Sequence, residues 1–252
     1  MPKSNLPKIL SPGKCRLCGE LHEKARMSTH LKRCAKRAAG AKGVAVVNRC
    51  FHIRVEGTYA PDYWLHLEVP AQATFGKLDK VLRDIWLECC GHMSAFRFPR
   101  KRVRLPASRD PAQLLAALMQ GGFGGGFGGD LEDDDQLMDQ AVGTRLAPGM
   151  KFNYEYDFGS TTELSLRVVE ERSSVFPKAG IHLLARNEPP EILCAVCQKP
   201  ATQICVECEC QGDGAVCESC ADDHECGEDM LLPVTNSPRI GVCGYTGPSR
   251  EP

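Results

Sequence analysis

The run from Cys194 to Cys226 constrains this chain more than any other stretch. It reads Cys194-x-x-Cys197, seven residues, Cys205-x-x-Cys208, eight residues, Cys217-x-x-Cys220, then His224 and Cys226. Two residues between thiols allow a tight turn to bring both sulfurs to one ion, at about 2.3 Å for zinc. Three such pairs and a final His/Cys pair supply ligands for two tetrahedral ions. Protein ligands that fill every position mark structural rather than catalytic zinc.

A second ligand set lies near the N-terminus. Cys15-x-x-Cys18 is followed, after eleven residues, by His30-x-x-x-Cys34. His30 and Cys34 are four apart, so a helix sets them on one face, aimed at the same ion as the Cys pair. A small zinc finger of this kind has little core, and the metal supplies most of its folding energy. The expected cofactor is therefore zinc, up to three ions in all.

The 15 cysteines of the chain do not read as a disulfide framework. MPKSNLPKIL has no apolar signal-peptide core, and no apolar run approaches the roughly 20 residues that span a bilayer. Clustered Cys-x-x-Cys pairs in a reducing compartment are metal ligands, so the expected location is cytoplasmic, without membrane contact.

A net charge of -1 conceals two opposite ends. Residues 1–43 carry eleven Lys/Arg against Glu20 and Glu23, whereas residues 191–229 carry ten Asp/Glu against Lys199. Lys32, Arg33, Lys36 and Arg37 form a basic patch beside the finger, suited to salt-sensitive, non-specific phosphate contact with nucleic acid. The acidic end suits a protein partner better.

Between the ends the chain reads as a sheet domain. Phe51, Ile53 and Val55 alternate with polar residues, as do Tyr63, Leu65, Leu67 and Val69, with GTYAPD as the turn. Thr74 caps a helix whose apolar stripe is Phe75, Leu78, Val81, Leu82, Ile85, Trp86 and Cys89, ending near Gly91. MSAFRFPRKRVRL reads as one or two strands and residues 111–120 as a short helix. The Gly-rich stretch 121–129 and the acidic residues after it form a loop at 121–135. Phe152, Tyr154, Tyr156 and Phe158 then give one aromatic face of a hairpin that continues through Leu164, Leu166 and Val168. Ile181–Ala185 is the last strand, and residues 35–48 read as a linker. Cys89, Cys90 and His92 cluster at the helix end, but Cys89 falls on the apolar stripe and reads as core.

Two stretches of this domain, VNRCFHIRVEGTYAPDYWLHLEV…LDKVLRDIWLECCGHMSAFRF and FNYEYDFGSTTELSL, resemble the bacterial Ri-plasmid ORF-three-like family. The resemblance covers about residues 44–190, and some members carry the finger and a tail like LLPVTNSPRIGVCGY. Members are largely uncharacterised, and some are passengers of insertion elements. The resemblance implies fold and compartment, not activity. The family often has Gly-Asp-Gly-Trp after the Phe-Gly, where this chain has Ser160, Thr161 and Thr162.

The C-terminal run resembles cross-braced modules of the B-box or MYND type. That resemblance implies one ion on Cys194, Cys197, Cys217 and Cys220, and another on Cys205, Cys208 and His224. Its fourth ligand is Cys226 or Cys243, with Cys210 a weaker rival.

The expected architecture is α+β: a small central sheet domain with covering helices over 44–190, containing the loop 121–135. A basic zinc finger (1–40) and an acidic two-zinc module with its tail (191–252) flank it. The expected function is that of a non-enzymatic, zinc-containing interaction protein. One alternative is a nucleic-acid accessory protein of mobile elements. The other is an enzyme built on Glu155, Asp157, His66 and His92, for which no catalytic constellation is assembled in the sequence.

Overall fold

The computed structural model describes residues 11–42, 49–99, 136–174, 176, 178–209 and 212–248. The loop 121–135, the helix expected at 111–120 and Cys210 lie outside the described residues.

The alternating segments form the strands their pattern requires. β3 (Arg49–Gly57) and β4 (Trp64–Pro70) pair antiparallel, with Ile53 opposite Leu67 and Val55 opposite Leu65. The aromatic stretch gives β6 (Lys151–Tyr156), which turns back as β7 (Thr162–Ser173) with Phe152 opposite Leu166 and Tyr154 opposite Leu164. The finger contributes β1 (Pro12–Cys15) and β2 (Leu21–Glu23); β5 is Ser94–Arg97 and β8 is His182–Asn187. All eight join in one antiparallel sheet, ordered β2-β1-β8-β4-β3-β7-β6-β5. The fold is α+β, a large antiparallel sheet with covering helices.

One face carries the main core. Phe51, Ile53, Val55, Leu65, Leu67, Tyr154, Leu164 and Leu166 are sealed there by helix α2 (Phe75–Leu82), which buries Phe75, Leu78 and Leu82. Burying each such side chain is worth about 1.5–3 kcal/mol. Thr74 caps α2 by accepting the Lys77 amide at 3.3 Å. The helix then widens into one π-turn over Arg83–Leu87, where Ile85, Trp86 and Leu87 are all buried. Three consecutive buried residues exceed what a single α-helical stripe presents. The chain leaves the helix extended at Glu88 and reverses at Gly91, whose φ of 78° suits glycine.

The opposite face is covered as well. Helix α1 (Lys24–Lys42) lays Met27, Leu31 and Cys34 against Trp64, Leu184 and Ala185. Both faces of β4 are therefore buried, polar residues included. His52 and His66 share a hydrogen bond of 2.8 Å there, while Glu68 accepts from Arg172 and Ser174 at 3.0 and 2.6 Å. The helix also extends to Lys42, through part of the stretch that reads as linker. CAKRAAGAK is rich in alanine, the strongest helix former, which accounts for the continuation.

The aromatic alternation stops one residue early. Asp157 takes a left-handed φ of 65°, so Phe158 falls out of register and is 41 % exposed.

After β8 comes a smaller three-stranded sheet, β10 (Ala215–Val216), β9 (Gln203–Cys205) and β11 (Leu231–Pro233), in that order, with the one-turn helix α3 (Glu218–Ala221). The tail then returns to the main domain and buries Ser237, Arg239 and Tyr245 completely. Ser237 donates to the Trp86 carbonyl at 2.6 Å, and the Asn187 and Asn236 side chains join at 2.7 Å.

Candidate metal centres

In each ligand set, local backbone geometry aims the sulfurs. The Cys15–Cys18 turn closes with the Gly19 amide on the Cys15 carbonyl at 2.8 Å, and Gly19 has φ 81°. The Cys194–Cys197 turn closes in the same way, with the Gln198 amide on the Cys194 carbonyl at 2.9 Å and Gln198 at φ 61°. Helix α1 supplies His30 and Cys34 one turn apart. Helix α3 starts after Cys217 and carries Cys220.

These elements bring the expected ligands together. Cys15, Cys18, His30 and Cys34 form one cluster; Cys194, Cys197, Cys217 and Cys220 a second; Cys205, Cys208, His224 and Cys226 a third. Within each, the ligand atoms lie within 4.8 Å of one another. A tetrahedral ion with sulfur bonds of about 2.3 Å has sulfur–sulfur edges of about 3.8 Å. The separations follow that figure: 4.0 Å for Cys15–Cys34, 3.5 Å for Cys197–Cys217 and 3.6 Å for Cys208–Cys226. The imidazoles fit too, with His30 Nε2 3.4 Å from Cys18 and His224 Nε2 3.6 Å from Cys208. The other nitrogen of His30 lies 3.9 Å from the exposed Glu20 carboxylate, close enough for an ion pair but too far for a hydrogen bond.

Electrostatics favours a cation in the two C-terminal sets. The Ser219 hydroxyl, then the Cys220 amide, pulls the Cys217 thiol down to about 6. Burial opposes ionisation of Cys205, yet the Cys208 amide and the His224 ring bring it to about 7. Their neighbours show the cost of crowding: Cys226 pushes Cys208 up to about 12, and Cys217 does the same to Cys220. Closely packed thiols do not ionise together unaided, and a bound metal ion deprotonates them. The three sets can therefore hold metal ions.

The choice between Cys226 and Cys243 resolves in the geometry. Cys226 stands with Cys205, Cys208 and His224, while Cys243 lies with Cys89, Cys90 and His92 in a fourth group. That group escapes a linear reading because about 150 residues separate its halves. The available signal is that two short turn-forming segments, CCGH and VCGY, carry Cys and His residues outside the three spaced ligand sets.

The basic patch is placed unevenly. Lys32 reaches Glu170 of the sheet at 3.9 Å. Arg33, Lys36 and Arg37 are exposed and line an open depression with His22, Arg26, Thr29 and His30. Arg33 and Lys36 have no ion-pair partner among the described residues.

Of the four candidate catalytic groups, two approach each other. His92 Nε2 lies 3.6 Å from Asp157 Oδ2, but Glu155 pairs with Arg97 at 3.0 Å and His66 is buried on the other face of the sheet. Asp157 is itself engaged by Arg239 at 2.7 Å. No helix among the described residues is long and apolar enough to cross a membrane.

No family model and no curated protein matches this chain. Among solved structures it is similar to MM3350, a protein of unknown function from Methanosarcina mazei Go1. The identity is 16 %, the match covers 56 % of this chain and 71 % of that one, and the TM-score is 0.39.

Proposed function

We propose that this chain is a non-enzymatic interaction protein whose two ends are built around structural zinc. The supporting observation is that three complete four-ligand sets assemble at separations that fit a tetrahedral ion. Zinc is the natural occupant of Cys/His sets with closed coordination. The acidic module is the contact surface for a protein partner. A depression between its two ligand sets is lined by Asp213, Asp223 and Glu225, next to Val196, which is 72 % exposed. That combination suits a segment carrying basic and apolar side chains. Capture from native cells, with and without nuclease, tests the reading. Partners retained after nuclease treatment and lost with Val196→Ser and Asp223→Lys support it; capture unchanged by both variants would rule the surface out.

One observation favours a second activity, a nucleic-acid accessory role. Arg33, Lys36 and Arg37 face outward beside the finger, where phosphates can reach them. Partners that vanish on nuclease treatment favour this role over the first.

A further inference from the structure

The turn after α2 and the returning tail meet at a place that neither half marks by itself. Cys89 and Cys90 lie 3.7 Å apart, and Cys90 and Cys243 3.9 Å apart. His92 Nε2 stands 3.0 Å from Cys90 and 3.2 Å from Cys243. All four ligand atoms fall within 4.8 Å of one another. Three sulfurs and one imidazole are the same ligand set as in the finger. The sulfur separations match an ion whose sulfur edges are about 3.8 Å, and the imidazole stands closer to its sulfurs than His30 does to Cys18.

We propose that Cys89, Cys90, His92 and Cys243 form a fourth zinc site, one that staples the tail to the end of the central helix. The inference rests on the zinc reading of the other three sets, since the ligand chemistry is the same.

The surroundings are built for it. Cys243 is held at φ 48° between Gly241 and Gly244, both at positive φ, so the tail makes a sharp turn that presents the sulfur. On the other side, Gly91 turns the chain between Cys90 and His92 at φ 78°. Arg239 anchors the approach: Nη1 donates to the Thr162 hydroxyl at 2.9 Å, and Nη2 donates to Asp157 at 2.7 Å and also lies 3.6 Å from Cys89. Asp157 also stands 3.6 Å from His92 Nε2. Three thiolates and one zinc carry one net negative charge, and the Arg239 guanidinium stands beside it, shared between Cys89 and Asp157.

The site differs from the others in depth. Each of the other sets contains a fully buried thiol, Cys15, Cys194 or Cys205. Here Cys90 and Cys243 are exposed and Cys89 only half-buried. Its ion is the most accessible to competing ligands and leaves first. Its closure ties residues on both sides of the acidic module, which emerges after β8 and returns through Arg239 and Cys243. The module is thereby a loop clamped at both ends.

The test is zinc stoichiometry and release on the full chain, purified without chelator and kept reduced. The expected result is four zinc ions per chain, one of which passes to a colorimetric chelator in a separate fast phase. Cys243→Ser and His92→Gln should each bind three ions and lose the fast phase, with circular dichroism unchanged. Two variants at different elements guard against a folding defect in either. Four ions in a variant, or three in the wild type and both variants alike, overturns the proposal and leaves the zinc reading of the other sets intact. Fewer than three ions in the wild type overturns that reading itself. A Cys90–Cys243 disulfide in place of the ion, seen as a mass two hydrogen atoms lower, also overturns the proposal.

Discussion

Arg239 donates to Asp157 at 2.7 Å in a contact that joins the tail to the β6–β7 turn, with the guanidinium fully buried and the carboxylate 7 % exposed. The pair explains why Asp157 tolerates a left-handed backbone. Its carboxylate also accepts the Gly159 amide at 3.0 Å, and the Arg239 hydrogen bond, then that amide, holds the carboxyl below its ordinary range.

Removing one partner leaves the other charge buried alone, which costs about 3–5 kcal/mol. Arg239→Met should destabilise the chain by about that much in urea unfolding. Adding Asp157→Asn should recover part of the loss, because the stranded charge is gone. A double variant as unstable as the sum of both singles would show the two residues to be uncoupled.

The His52–His66 pair predicts a pH dependence. Burial holds the His66 ring well below its ordinary value, and burial lowers His52 as well, against a smaller opposing pull from Glu170. The unfolded rings take up protons below about pH 6.5 that the folded rings refuse. Stability is therefore full above that pH and falls as pH drops through it, by about 1.4 kcal/mol per unit for each such ring. His66→Gln should flatten the fall between pH 6.5 and 5 in thermal melts. The candidate metal ligands are the same in both proteins, so the difference between the curves isolates the contribution of His66.

Trp64 reports on the finger. Its ring packs with Cys15, Met27, Leu31 and Cys34 on the face covered by α1. Cys18 is exposed, so Cys18→Ser removes a ligand without removing core volume. A zinc set of this type contributes on the order of 10 kcal/mol to folding its own module. Tryptophan emission should shift to longer wavelength in Cys18→Ser, and a Trp64→Phe background should abolish the shift. Unchanged emission on loss of the ion would mean that packing alone holds the finger.

Much of this architecture is readable because it rests on local periodicity. The alternation in β3, β4 and β6 and the stripe on α2 carry their buried faces openly, and three ligand sets are written in short spacings. What stays hidden depends on residues distant in sequence. Nothing in WLHLEV shows that its polar side is also buried, because the cover is α1, although Met27 and Leu31 sit one helical turn apart. Phe158 reads as the next member of an aromatic row, but the single left-handed residue Asp157 rotates it outward. Cys89 reads as core from its place on the stripe and does pack at the core edge, yet its sulfur also faces Cys90.

The basic face of α1 makes a separate prediction. Replacing Lys32, Arg33, Lys36 and Arg37 by Ala should abolish low-salt binding to mixed DNA and RNA. Lys32→Ala should have the smallest single effect, since that side chain already leans to Glu170. For duplex DNA, each phosphate that a variant no longer neutralises should lower the salt slope by about 0.9. No binding by the wild type at about 50 mM salt would remove the nucleic-acid role.

The reading of the whole chain turns on metal content. Native mass spectrometry of the purified full-length protein, with zinc verified by elemental analysis, measures it in one step. Three or more zinc ions per chain, one lost with each of Cys18→Ser, Cys197→Ser and Cys208→Ser, is the predicted result. Two or fewer ions, or a count unmoved by those three variants, would contradict it.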